Sequence, residues 1–343
     1  MNLNNEITDS CKPYRKLRLA KKIVVVDGMI GGGKNLLSSI VSSFPSVEMW
    51  IHRTQIEQVC ALYHLGHMSL DAAKTLINTW IEEEILNQNM SRNVNFKPSD
   101  ISSIFHDARP LRYFKRLLKS PLKAKESVEK EMPVLNLMTH VNTSYSKPLF
   151  EALGERLIYI RVSRHPMTTD MIKHNKKWTE RWENDDRHSY IMYKTLNENK
   201  KPIHLPFYAK KIEKKYLNGN STDKSILLFD QWIRNSDNFI DEIKKSTEAT
   251  IIEIPYEKFV FYPEIYIKKI SSALALSPDK KTIKMMRRQR VPRSSLTIDK
   301  KNYNLIDSFA HGRAYVKQNS SLESLTMLDK LANDYEERHN INK

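Results

Sequence analysis

The sequence predicts an α/β fold of three layers, with helices over both faces of a mainly parallel central sheet and additional helical insertions. Two observations predict it. Short apolar, β-branched runs recur at 22–27, 134–138, 157–162 and 250–254, separated by stretches whose apolar residues follow helical spacing. That alternation is what parallel strands joined by crossover helices require. The first run also ends in a turn holding four of the chain's eight glycines, Gly28, Gly31, Gly32 and Gly33, and a helix-compatible stretch follows. A length of 343 residues, 40% hydrophobic and 28% charged, suffices for one large domain.

In chain order, residues 1–20 read as a loose basic arm, and 21–340 as a single P-loop-type domain. A strand at 22–27 leads through a loop at 28–34 into a helix over 35–43. Phe44-Pro45-Ser46-Val47 then turns into a second strand. From 54 to 92 the spacing of Ile56, Val59, Leu62 and Tyr63, then of Ala72, Ala73, Leu76, Ile77 and Trp80, predicts helix, with Ser69 placed as an N-cap. Residues 98–121 are basic and partly helical, and 123–131 are a charged linker or helix, so that 54–130 forms a helical elaboration. Further helices are expected at 147–153 and 232–245. The polar, basic stretch 173–225, poor in strand signals, reads as an insertion or lid.

The spacing Gly28-x4-Gly33-Lys34 fits the phosphate-binding loop G-x4-G-K-[ST]. Glycines let consecutive N–H groups face one concavity, the following helix adds its positive end, and Lys34 can reach a phosphate or sulfate oxygen. A nucleotide is the expected ligand. Asn35 stands where a hydroxyl would normally ligate Mg²⁺. Either the metal is held otherwise, or the transferred group needs none. A sulfuryl group, carrying less charge than a terminal phosphoryl group, suits the second case.

Bulk properties exclude several classes. No segment reaches the ~20 apolar residues of a membrane span, and the apolar run after the basic start stops at Asp27, too short for a secretory signal. Cys11 and Cys60 form neither a disulfide framework nor a metal-ligand pattern, so a cytoplasmic setting and no metal ligands are expected. A net charge of +16 is spread over 12–22, 112–125, 173–181, 208–215 and 280–293 without a nucleic-acid-binding signature. The expected partners are therefore an anionic nucleotide donor and an acceptor substrate, and not nucleic acid.

Three further places carry chemistry. Thr139-His140 follows the strand at 134–138, at the carboxyl end where ligands of parallel sheets bind; His140 could take a proton from an acceptor. Arg161 and Arg164 leave the strand at 157–162 before Pro166 and the hydroxyls Thr168 and Thr169, a plausible anion site. The stretch 254–264 is a strand, turn and helix, and the basic tract 287–293, with Arg288, could close over a phosphate.

These blocks together resemble the sulfotransferase superfamily. Gly28-Met29-Ile30-Gly31-Gly32-Gly33-Lys34-Asn35-Leu36-Leu37, with Phe44-Pro45 after it, is similar to that family's 5′-phosphosulfate loop; 157–166 is similar to its strand ending in R-[DN]-P; 232–276 is similar to its W-helix, V-x-Y-E-x-L and C-terminal helix; Thr139-His140 is similar to its K-T-H. The departures are Gly31 and Lys34 in place of the usual Arg or Lys and Thr, Met138 in place of lysine, and Ile172 eight residues beyond Arg164 in place of serine, whereas counting from Arg161 lands on Thr169. The resemblance implies 3′-phosphoadenosine-5′-phosphosulfate as donor, held by Gly31, Gly32, Gly33, Lys34, Asn35 and Leu36 at its sulfate end. It implies Arg161 or Arg164, Thr169 and Arg288 at the 3′-phosphate, and Lys34 and His140 as catalytic groups, with Glu48, His52 and His165 as the next candidates for the base. The alternative is a P-loop kinase using ATP with Mg²⁺, whose loop is also similar to 26–34. There, Ile226-Leu227-Leu228-Phe229-Asp230 would be a metal-holding strand, unless Asp230 starts the helix at Trp232.

Overall fold

The computed structural model describes residues 18–184, 191–197, 199–298 and 301–341. Most of the expected basic arm, and Cys11, lie outside the described residues. The arm ends before residue 20, because Leu19 and Ala20 are already buried and donate their N–H groups to the Glu82 carboxylate.

The centre is a five-stranded sheet in the order β2-β3-β1-β4-β7, parallel throughout. β1 (Ile23–Gly28) runs through the glycine loop into helix α1 (Lys34–Ser42). β2 is the two-residue strand Ile51–His52. The turn expected at Phe44–Val47 leads to it: Pro45 has no N–H to donate to a ladder, Val47 makes an isolated bridge to Val134, and the strand itself begins four residues later. The stretch 54–92 contains two helices, α2 (Thr54–His64) and α3 (Leu70–Asn89); Ser69 caps the second, accepting from the Ala72 N–H. The short α4 (Leu111–Arg116) and α5 (Pro121–Glu131) complete the helical elaboration. β3 (Leu135–Met138), α6 (Lys147–Leu153) and β4 (Leu157–Ser163) fall where expected.

The expected insertion holds the end of α7 (Thr169–Asn184), an antiparallel hairpin of β5 (Met192–Leu196) and β6 (Pro202–Pro206), α8 (Glu213–Asn218) and the start of α9 (Ser221–Ile243). Ile226–Asp230 is therefore neither a strand nor a helix start. Asn220 caps α9 in a reciprocal pair with Asp223, ten residues before Asp230. β7 (Thr250–Pro255) is followed by α10 (Tyr256–Phe261), α11 (Pro263–Leu274), α12 (Lys280–Arg288), the hairpin β8 (Leu296–Ile298) and β9 (Lys301–Tyr303), α13 (Leu305–Asn319) and α14 (Leu322–His339).

Side-chain alternation along each strand divides the core. Val25, Leu137 and Tyr159 face α2, α3, α6 and α9 through Ile56, Ile77, Phe150 and Trp232. Val24, Val26, Ile160 and Ile254 face α1, α10 and α11 through Leu37, Ile40, Phe259 and Ile270. Both faces are covered, as a parallel sheet requires. Among the described residues no helix is long and apolar enough to cross a membrane.

Candidate nucleotide and acceptor site

The loop after β1 is held by its own sequence and by α7. A Cβ at Gly28 would lie 2.2 Å from the Val162 carbonyl oxygen, and one at Gly33, whose φ is +99°, would lie 2.4 Å from the Tyr256 ring. Only glycine allows β4 and the Tyr256 ring to approach so closely. Four consecutive loop carbonyls then receive side-chain donors. Lys34 Nζ donates to Gly28 at 2.9 Å and to Met29 at 2.8 Å. Asn175 of α7 donates to Ile30 at 3.1 Å, and Arg164 donates to Gly31 at 3.0 Å. With its carbonyls turned to these donors, the loop can present N–H groups, joined by those of α1's first turn, which have no helical partner.

Lys34 is buried. Burial pushes its ammonium down from 10.5 to about 8, against the opposing pull of Asp27 and Glu57. Asp27, wholly buried at the end of β1, accepts from Thr139 Oγ1 at 2.9 Å and from the Thr143 N–H at 2.7 Å. Thr139 thus buckles the ends of β1 and β3 together and leaves His140 as the outward member of the Thr-His pair.

A cleft of about 370 Å³ lies beside the loop, lined by Asn35, Trp50, His52, Arg53, Met138 and His140, with Asn95, Asp100 and Ser102 beyond. At its floor, His140 meets two residues from other elements. His140 Nδ1 lies 3.2 Å from His52 Nε2 and 3.4 Å from Glu57 Oε1, and His52 Nε2 lies 3.0 Å from the same oxygen. The His140 N–H donates to Glu57 Oε1 at 2.6 Å. Burial and the nearby Lys34 lower the His140 pKa, with Glu57 opposing them. Burial alone would raise Glu57, but hydrogen bonds to His140 and His52 bring it below the usual carboxylate range.

Of the residues expected from sequence, Gly31, Gly32, Gly33, Lys34, Asn35 and Leu36 form the loop and first turn, and Asn35 is exposed at the cleft. Arg164 stays beside them, its guanidinium 4.6 Å from the Tyr256 ring centroid. Arg161 is 1% exposed and paired with Asp237 at 2.5 Å and Glu253 at 3.4 Å, so its charge is already answered within the protein. Thr169 is buried, with its hydroxyl 2.9 Å from His311 Nδ1. Arg288 turns to His106, 3.2 Å from its carbonyl and 2.7 Å from its ring. From the same tract it is Arg293 that comes to the loop's neighbour, donating to the Tyr256 hydroxyl at 2.8 Å. Glu48 is held by Arg116 at 2.7 and 2.9 Å. His165 stacks on Phe309 and meets Glu336 at 3.0 Å. Sequence reasoning missed Glu57 and Asn175, and within the tract 287–293 it singled out Arg288 where Arg293 comes to Tyr256. Glu57 left a signal, as an acid amid the apolar spacing Ile56, Val59 and Cys60 on one turn of helix.

No protein-family model and no curated protein sequence matches the chain. Among solved structures it is similar to the sulfotransferase domain of the Synechococcus PCC 7002 olefin synthase, at TM-score 0.40 and 11% identity, over 88% of this chain and 97% of that one. It is also similar to sulfotransferase STF1 from Mycobacterium tuberculosis H37Rv, at TM-score 0.37 and 10% identity over 92% of this chain and 78% of that one. The corresponding values for sulfotransferase STF9 from Mycobacterium avium are 0.38, 10%, 92% and 80%.

Proposed function

We propose that this chain transfers a sulfuryl group from 3′-phosphoadenosine-5′-phosphosulfate to a hydroxyl or amine acceptor. The observation that carries the reading is the loop itself. It is tied back through its carbonyls by Lys34, Asn175 and Arg164, and it opens beside Asn35 onto a cleft that ends at His140. In this reading the loop N–H groups and Lys34 hold the phosphosulfate and stabilise the charge developing on the bridging oxygen, by positioning and electrostatics. Asn35 offers an amide to the same oxygens in place of a magnesium-ligating hydroxyl. Arg164 and Arg293, flanking Tyr256, take the 3′-phosphate; Arg164 keeps one ion pair, to the exposed Asp170 at 3.0 Å, whereas Arg161 is buried between two carboxylates and Arg288 turns to His106. The acceptor occupies the cleft and gives up its proton at the cluster that His140 forms with His52 and Glu57. A cytoplasmic setting fits such a donor.

The test is thermal stabilisation by 3′-phosphoadenosine-5′-phosphate against ATP with and without Mg²⁺. A ligand at 100 times its Kd stabilises by about 2.7 kcal/mol. Stabilisation by the bisphosphate without Mg²⁺ supports the reading; a response confined to Mg-ATP overturns it in favour of a kinase.

A further inference from the structure

The meeting of His52, Glu57 and His140 brings three atoms that can each offer a lone pair to one point. The three facing atoms, His52 Nε2, Glu57 Oε1 and His140 Nδ1, form a triangle with sides of 3.0, 3.2 and 3.4 Å. With Glu57 ionised, its oxygen brings only lone pairs, and each ring nitrogen brings either a proton or a lone pair. If both rings present protons to the carboxylate, two N–H groups oppose each other across 3.2 Å. If one ring presents its lone pair, that lone pair opposes the carboxylate. A cation at the triangle is instead coordinated by all three atoms.

We propose that His52, Glu57 and His140 form a three-ligand site for a divalent transition metal of the zinc class. Ligand bonds of about 2.0–2.2 Å in a tetrahedron separate neighbouring ligand atoms by roughly 3.3 Å, the scale of this triangle. Two imidazoles and one carboxylate suit zinc-like ions, whereas magnesium and calcium prefer all-oxygen sites. Glu57 adds a second, independent observation. Its other oxygen, Oε2, is buried without a hydrogen-bond partner among the described residues, while Oε1 is oriented by the backbone N–H of His140 at 2.6 Å. The donors sit on rigid supports: the last residue of β2, the second residue after β3, and the first turn of α2. Because His52 and His140 line the cleft, the fourth position opens toward it. A water or an acceptor oxygen bound there loses its proton to solvent more readily than when free. Such an ion differs in place and ligands from the magnesium of a nucleoside triphosphate, and its binding does not depend on the donor proposed above.

The experiment uses the untagged full chain, stripped by a chelator and titrated with Co²⁺, then with Zn²⁺ against a chromophoric competitor. The expected result is one equivalent per chain, with visible d–d bands of low-symmetry Co(II) that Zn²⁺ abolishes. Glu57→Gln and His52→Ala should each weaken binding by more than the roughly 10–100-fold that a change outside the ligand set costs. Glu57→Gln keeps the side-chain shape and decides the question if His52→Ala does not fold. Wild-type protein without the bands, or bands and affinities unchanged in folded Glu57→Gln, overturns the site. Stabilisation by 3′-phosphoadenosine-5′-phosphate, measured on the same metal-free sample, reports separately on the donor.

Discussion

Replacing Lys34 by methionine keeps a long apolar side chain and removes the charge, and it separates two jobs that the lysine holds at once. As a structural donor it satisfies the Gly28 and Met29 carbonyls at 2.9 and 2.8 Å. Each carbonyl keeps a backbone donor, the Val141 N–H to Gly28 at 3.2 Å and the Gly32 N–H to Met29 at 3.0 Å, so losing the lysine's two hydrogen bonds costs about 1–3 kcal/mol in all, at about 0.5–1.5 kcal/mol for each. Against that, the drop of the ammonium from 10.5 to about 8 through burial corresponds to roughly 3 kcal/mol of disfavoured charge, at 1.36 kcal/mol for each tenfold change in proton affinity. Methionine removes that penalty too, so the two structural effects largely offset, and Lys34→Met should shift stability by no more than about 2 kcal/mol. In the proposed donor site the same ammonium would supply a charge-assisted hydrogen bond worth about 1.5–3 kcal/mol, so affinity for 3′-phosphoadenosine-5′-phosphate should fall by about 10–150-fold. Calorimetric titration with the bisphosphate and urea melts measure the two numbers separately. Raising the pH through about 8 should weaken the wild type's affinity as the buried ammonium loses its proton, and should leave that of Lys34→Met nearly flat. Wild-type stability should rise between about pH 8 and the unfolded value of 10.5, where the unfolded chain still holds a proton that the folded one has released; the cost of burying the charge is full below about 8, fades across that window and is gone above it. A folded Lys34→Met protein with unchanged affinity would refute the loop as the donor site. A collapse of stability would instead make the lysine a staple of the turn.

Gly33→Ala should destabilise by at least about 1–3 kcal/mol through its left-handed backbone, with a further cost from the Cβ that would lie 2.4 Å from the Tyr256 ring; a urea midpoint equal to wild type would contradict this. Arg116→Met strips Glu48 of its two-pronged partner and leaves Arg112 at 4.0 Å, so a loss of about 3 kcal/mol in urea melts is expected. Burial acts to raise Glu48, and Arg112 and Arg116 more than offset it, so the pair's stabilisation is present above the ordinary carboxylate range and fades as pH falls through the lowered folded value. The pH dependence of the difference between wild type and variant checks that sign. Burial pushes the Cys60 thiol up to about 12, so alkylation at pH 8, followed peptide by peptide in a mass spectrometer, should label Cys60 only on unfolding. Asn35→Ser should fold normally and strengthen Mg-ATP binding by restoring the hydroxyl ligand; an unchanged ATP affinity argues that the missing hydroxyl is not what sets the metal requirement.

The sheet was legible wherever a strand was buried on both faces, because a continuous apolar run such as Ile23–Val26 or Leu157–Val162 needs no partner to be read. The two-residue β2 was not. Its residues belong to the sheet through pairing with Leu137 and Met138, and a pair of residues carries no period. Ile226–Asp230 reads equally well as a strand or as one stretch of a buried helix, and the cap that decides between them, Asn220, lies well upstream. The loop glycines and Lys34 announce themselves locally, since consecutive backbone geometry makes the site. His140 was visible as a strand-end residue and through the likeness of Thr139-His140 to K-T-H. Its partners His52 and Glu57 lie more than eighty residues away in sequence, and only the placement of β3 between β1 and β2 brings them together. The partners of Arg161 were hidden for a related reason: Asp237 and Glu253, which hold it, come from α9 and β7.

The strand order also gives the proposed transfer a direction. β1 carries the loop, β4 on one side ends near Arg164, and β3 and β2 on the other side end at His140 and His52. Ligands of parallel sheets lie across strand ends where the connections change direction, and here the chain passes from β3 over β1 to β4. A donor with its 3′-phosphate toward Arg164 and Arg293 and its sulfate end at Lys34 would thus point its transferable group toward the β3 side, where the cleft lies. Asn35 stands at that boundary, exposed on the first turn of α1. The loop and the His52–Glu57–His140 cluster therefore belong to neighbouring strand ends of one sheet, and Lys34 is close enough to the cluster to lower the His140 pKa. If donor and acceptor meet between them, changes at Arg293 should alter donor affinity and leave the metal titration untouched, while Glu57→Gln should abolish the metal titration and touch donor affinity only through the lost pull of its charge on Lys34.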